Sequence, residues 1–130
     1  MANPSVEAAK LENRLILVAE DNESNRKLML KQLALLGYAT ESAEDGVVAL
    51  QLWRNGRHAL LLTDCNMPNM NGFDLTAAIR REELEGTRLP IIAVTANAMQ
   101  GDCLNRGMDG YLSKPYKMHE LKAILTTWMP

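Results

Sequence analysis

Along this chain, short unbroken apolar runs alternate with stretches whose apolar residues recur at helical spacing. Leu15 to Ala19 is such a run, and its lack of alternation predicts a strand buried on both faces. An acidic pair follows, then a stretch in which Met29, Leu33 and Leu36 share one helical face, stopped by Gly37. The same order recurs with a weak strand at Tyr38 to Ser42, a helix from Gly46 to Arg54 and a buried strand at Ala59 to Thr63. A helix after Gly72 places Leu75, Ala78 and Ile79 together. A strand at Ile91 to Thr95, a weakly amphipathic helix near Met99 to Arg106 and a brief strand at Tyr111 to Ser113 come next. The final helix has the clearest stripe, with Leu121, Ile124, Leu125 and Trp128 at i, i+3, i+4 and i+7. Residues 1–13 show no period and read as a linker or N-terminal extension before a domain over 14–130.

Repeated strand and helix pairs with short loops predict an α/β fold built on a parallel sheet, because parallel strands need crossovers and helices supply them. Right-handed crossovers put the carboxyl end of every strand on one edge of the sheet, where ligands of open α/β folds bind.

Composition narrows the picture. The 130 residues suffice for one domain, and 47% hydrophobic content supports a core without metal or disulfide staples. A net charge of −2 gives no broad basic surface, so direct nucleic-acid binding is not expected. Cys65 and Cys103 lack a CxxC partner, which points to neither a structural zinc site nor a disulfide framework. The longest apolar stretches are too short to span a bilayer, and a cytoplasmic location is expected, including as the cytoplasmic part of a membrane-bound sensor.

Polar residues stand at the ends of four predicted strands: Glu20 and Asp21, Asp64, Thr95, and Lys114. Carboxylates gathered at one edge repel by about 1 kcal/mol per pair at 4 Å in water and about 4 at an effective dielectric of 20. A hard divalent cation would relieve this, and few carboxylates with water suit magnesium better than calcium. The acidic pair also has a plain structural reading, since Asp21 and Asn22 are good N-cap residues. Asp64 is either a turn residue ahead of Asn66, Pro68 and Gly72 or a nucleophile able to form an acyl phosphate. In the second case Lys114 and Thr95 would meet the oxygens of the transferred group.

The segments Ile16 to Asn22 (ILVAEDN), Asp64 to Gly72 (DCNMPNMNG), Pro90 to Ala96 (PIIAVTA) and Tyr111 to Pro115 (YLSKP) resemble, in order and spacing, the receiver domains of response regulators and hybrid sensor histidine kinases. The resemblance covers about Arg14 to Trp128. It implies a flavodoxin-like (βα)5 doubly wound parallel sheet of strand order 2-1-3-4-5. It also implies that Asp64 is phosphorylated and that Mg2+ is held by Asp21, Asp64, the Asn66 carbonyl and, through water, Glu20. Thr95 and Tyr111 look like a switch pair, Lys114 like a phosphate-contacting lysine, and Pro115 like a residue after a cis bond. The implied donor is a histidine kinase transmitter or a histidine phosphotransfer domain. Glu-Asp in place of the also common Asp-Asp is a mild departure. Asn22, Asn25 and Arg26, with Thr95-Ala96-Asn97-Ala98, look most like hybrid-kinase receivers.

A free-standing response regulator is the nearest alternative. A haloacid-dehalogenase-type phosphatase also pairs an aspartate nucleophile with magnesium, but needs a second acid where Asn66 stands. A nucleotide-binding module lacks GxGxxG and Walker A sequences. A pseudo-receiver would be expected to have lost acidic or lysine positions that are intact here. Met67, Met70, Met99 and Met108 read as flexible packing, Trp128 as a core residue and Trp53 as packed beside its own helix. His58 and His119 read as surface residues, and Cys65 as a packing residue.

Overall fold

The computed structural model describes residues 5–96 and 100–129; the expected features at Asn97, Ala98 and Met99 lie outside them. The elements in order are α1 (Val6–Glu12), β1 (Ile16–Ala19), α2 (Glu23–Leu35), β2 (Thr40–Ala43), α3 (Gly46–Asn55) and β3 (Leu60–Thr63). They continue with α4 (Gly72–Glu82), β4 (Ile91–Thr95), α5 (Gln100–Asn105), β5 (Gly110–Ser113) and α6 (Met118–Trp128). All strand pairs are parallel and the order is β2-β1-β3-β4-β5, the flavodoxin-like order expected.

Alternate residues of each central strand feed two apolar layers. Leu17, Leu61, Ile91 and Ala93 pack with Ala49, Leu50, Leu75, Ile79 and Cys103 of α3, α4 and α5. Ile16, Val18, Leu60, Leu62, Ile92 and Val94 pack with Met29, Leu33, Leu121 and Leu125 of α2 and α6. Covering both faces explains the unbroken apolar runs. β2 lies at the edge and is only partly buried before Ala43, so its signal is weak. It begins two residues later than predicted, because the Tyr38 N–H bonds to the Leu33 carbonyl and closes α2.

Side-chain caps start the helices on the carboxyl edge. Asn22, Asp45 and Asn71 accept from the backbone N–H of Asn25, Val48 and Asp74 at 2.9, 2.9 and 2.8 Å. Gly37 ends α2 with φ +93°, a region open to glycine. The segment before Arg14, where no period was legible, contains α1, capped by Ser5. Only Ala9 of that helix is buried, against Leu15 and Ala39, and Leu11 is exposed, so it presents no apolar stripe.

Two expectations are corrected. His58 is buried: its Nε2 lies 2.8 Å from Glu41 Oε1, and its Nδ1 has no hydrogen-bond partner. It closes the turn at Gly56, where an added Cβ would fall 2.9 Å from the ring. Trp128 is only partly buried, at the margin of the second layer, while Leu121, Leu125 and Met129 carry the burial around α6. His119 is exposed, as expected. Among the described residues no helix is long and apolar enough to cross a membrane.

Candidate functional site

The topology reverses between β1 and β3, whose carboxyl ends lie side by side with Ala19 opposite Thr63. That is where open α/β sheets form a crevice. Glu20 and Asp21 leave β1 and Asp64 leaves β3, so a shared register brings the three carboxylates together. One oxygen from each lies within 4.8 Å of the others, a grouping able to hold a metal ion.

Lys114, just past β5, reaches back across this edge. Its Nζ donates to Glu20 Oε1 at 2.5 Å and to Asp64 Oδ2 at 3.2 Å. Two carboxylates fifty and more positions away in sequence thus meet one ammonium. The Lys114–Pro115 bond is cis, as the resemblance implied.

Burial pushes the Glu20 carboxyl above its ordinary range; the Lys114 hydrogen bond only partly offsets this, and Asp64's negative charge adds to the rise. For Lys114, burial acts to lower the pKa, but the Glu20 and Asp64 carboxylates outweigh it and hold the ammonium above its ordinary value. The ammonium is therefore fixed as a cation. Three carboxylates against one ammonium still leave two negative charges when all are ionised. Oxygen donors with such a deficit suit a hard divalent cation.

The loop from β3 to α4 is held by contacts that motif spacing only partly revealed. The Gly72 N–H donates to the Cys65 carbonyl at 3.0 Å, and an added Cβ at Gly72 would lie 2.2 Å from the Asp64 carbonyl oxygen. Glycine is required there for α4 to start against the strand end. Asn69, at φ +66°, donates from Nδ2 to Asp45 Oδ2 at 2.7 Å, and the Gly46 N–H donates to the Met70 carbonyl. Sequence reasoning missed Asp45 and Asn69. Their only signals were an Asp before a helix and an Asn after a proline, both ordinary turn chemistry. Arg26, noted only as part of a family-like stretch, donates to the Glu20 carbonyl at 2.9 Å and steadies the acidic pair.

The remaining expected residues fall around this center. Asn66 is exposed on the loop and its N–H donates to Asp64 Oδ1 at 3.2 Å. Thr95 ends β4 and is buried; Tyr111 lies in β5 beside Ala93, partly buried against the first layer. Met67 and Met70 pack on that layer, Met108 is buried within it, and Trp53 packs partly buried beside it. Asn22 also fulfils its structural reading as the cap of α2, leaving Asp21 exposed at the crevice.

The chain is 42% identical over 116 residues to the Dictyostelium discoideum hybrid signal transduction protein dokA, covering 89% of this chain and 7% of that protein. It is 42% identical over 132 residues to the Escherichia coli sensor histidine kinase RcsC, covering 98% of this chain and 14% of that protein. It thus spans a small part of these relatives. The receiver domain of a Pseudomonas aeruginosa sensor histidine kinase, solved with a magnesium ion coordinated in its active-site cleft, superposes with a TM-score of 0.81 at 42% identity, covering 89% of this chain and 97% of that one. A Thermotoga maritima response regulator, TrrA, in complex with Mg(2+)-BeF, matches with a TM-score of 0.80 at 28% identity, covering 89% and 99%. Residues 16–126 match the family model of the response regulator receiver domain, and the chain belongs to that family of two-component signalling domains.

Proposed function

We propose that Asp64 accepts a phosphoryl group from a phosphohistidine, becoming an aspartyl phosphate that alters the partner-binding surface of the domain. The observation that carries this reading is the Lys114 ammonium, held between Glu20 and Asp64 in a crevice that remains short of positive charge. An Asp64 carboxylate oxygen attacks phosphorus, forming a P–O bond as the P–N bond to the donor imidazole breaks and its electron pair returns to the ring nitrogen. Lys114 offsets charge on the transferred oxygens, and the β3–α4 loop holds Asp64 in place through the Asn66 N–H.

Asp21, Asp64 and the Asn66 carbonyl would hold Mg2+, with Glu20 acting through water. Bound there, the ion neutralises charge that builds on the phosphoryl oxygens. Thr95 then turns its hydroxyl toward a phosphoryl oxygen and Tyr111 follows inward, shifting a two-state equilibrium.

The donor is a histidine kinase transmitter or a histidine phosphotransfer domain. A groove beside the crevice, lined by Leu28, Met29, Lys114, Pro115 and Tyr116, offers it an apolar seat, with Leu28 half exposed. Matching 7% and 14% of a hybrid signal transduction protein and a sensor histidine kinase supports the reading of the chain as a module of a hybrid sensor kinase, for which a cytoplasmic site is proposed.

The test uses acetyl phosphate and Mg2+. The wild-type chain gains one phosphoryl mass and Asp64→Asn gains none; equal labelling of both overturns the assignment.

A further inference from the structure

The β3–α4 loop, which would offer the Asn66 carbonyl to Mg2+, is pinned locally at both ends. The Asn66 N–H donates to Asp64 Oδ1 at 3.2 Å, and the Gly72 N–H donates to the Cys65 carbonyl at 3.0 Å. Its tip turns sharply: the Met70 N–H donates to the Pro68 carbonyl at 2.7 Å, and Asn69 stands at φ +66°. A residue with a Cβ holds that left-handed backbone at a cost, which Asn and Asp bear best. Such a tip keeps its shape when something outside the loop holds it.

What holds it is the start of α3. Asp45 is buried, with 7% of its surface exposed, and its carboxylate serves two partners. Oδ1 accepts from the Val48 N–H at 2.9 Å as the cap of α3, and Oδ2 accepts from Asn69 Nδ2 at 2.7 Å. One residue on, the Gly46 N–H donates to the Met70 carbonyl at 3.0 Å. A Cβ at position 46 would lie 2.3 Å from that carbonyl oxygen, so the two backbones are as close as glycine allows. Capping uses one oxygen, and Ser or Asn would serve it as well. The second oxygen is left for the loop.

We infer that Asp45 and Asn69 are positioning residues for Mg2+ binding, holding the β3–α4 loop so that the Asn66 carbonyl faces the crevice. The inference rests on the reading in which that carbonyl, Asp21 and Asp64 hold the ion. Neither residue is a ligand: Asp45 acts through Asn69, and Asn69 acts through the loop backbone. An untied loop spends part of its time with the carbonyl turned away, and the apparent Kd for Mg2+ rises as the competent fraction falls.

The experiment titrates Mg2+ into the full chain, read by NMR. Asn69→Gly removes the tie and leaves the positive φ unstrained. It should raise the Kd roughly two- to tenfold, the span of one hydrogen bond's net worth. Asn69→Asp sets two carboxylates against each other and should also raise the Kd roughly two- to tenfold. Its added negative charge would by itself draw the cation in, so weaker binding separates positioning from electrostatics. Asp45→Asn combined with Asn69→Asp restores one donor and one acceptor at the wild-type net charge, and both residue types suit their places at the cap and at positive φ. This exchange should return the Kd to within about twofold of wild type. Asn69→Gly binding like wild type, Asn69→Asp binding more tightly, or an exchange no better than Asn69→Asp overturns the positioning role. If the facing carboxylates of Asn69→Asp unfold the chain, Asn69→Gly and the exchange decide. A wild-type Kd that Asp21→Asn leaves unmoved overturns the metal site itself, and this inference falls with it.

Discussion

The two edges of the sheet both gather charged side chains and treat them in opposite ways. At the amino edge, Arg80 of α4 donates to Glu83, to Asp109 at 2.8 Å, and to the carbonyls of Leu89 and Gly107, while Arg88 binds the other Asp109 oxygen. Asp109 Oδ2 also accepts from the Ile91 N–H at 2.8 Å, tying the starts of β4 and β5 together. Two guanidinium groups face two carboxylates, so the cluster is electrically closed. At the carboxyl edge, the ion-pair partner that Glu20, Asp21 and Asp64 have among the described residues is Lys114. A neutral, fully bonded cluster specifies structure; a cluster left negative stores a demand for a cation, at a cost to stability that burial of Glu20 makes larger.

If that contrast holds, breaking the closed cluster harms folding and breaking the open one harms chemistry. Arg80→Ala leaves Glu83 without its guanidinium and Asp109 with Arg88 alone, and should cost about 3 kcal/mol in urea unfolding, the low end for a buried ion network. Its folded fraction should still accept phosphate from acetyl phosphate; loss of acceptance would erase the distinction between the edges. Mg2+ at a hundred times its Kd should stabilise the wild-type chain by about 2.7 kcal/mol through mass action. Asp21→Asn should lose most of that gain while melting no lower than wild type without metal. A metal-free chain destabilised by Asp21→Asn would show instead that this carboxylate is structural.

Lys114→Ala should slow phosphorylation of Asp64 roughly tenfold or more, the worth of one hydrogen bond to a charged group, with little change in melting. Rates like those of wild type would remove the lysine from the site.

The smallest effect belongs to His58, at the amino edge. Burial holds its pKa below the ordinary 6.5, with the Glu41 contact opposing only in part. A depressed folded pKa means that the full stability is present above 6.5 and is lost as pH falls through the folded value. Stability should therefore decline on acidification from neutrality in wild type, and His58→Gln should lack that component. Identical pH profiles would show that the ring takes up its proton in the folded chain as readily as in the unfolded one.

Both edges also show where sequence reasoning stops. No sequence motif marks Arg80, Glu83, Arg88 and Asp109, because their closure depends on where the end of α4 meets two strand starts. His58 was placed at the surface for the same reason: nothing local reveals that the Gly56 turn folds the ring inward beside Glu41. The short α1 was illegible because a helix burying one residue has no period. Leu15 to Ala19, Ala59 to Thr63 and Ile91 to Thr95 were legible because burial on both faces demands unbroken apolar runs.

The sequence by itself determined the strands, the helices from α2 onward and the chemical types standing at the strand ends, since hydrophobic period and cap residues are local properties. It also determined the family, through Asp64, Lys114 and the acidic pair in their order. Only the tertiary structure decided that Lys114 touches both Glu20 and Asp64, that Asn69 reaches Asp45, and that Arg80 closes the far edge. These are distances between segments remote in the chain, fixed by register and packing, and no local pattern encodes them.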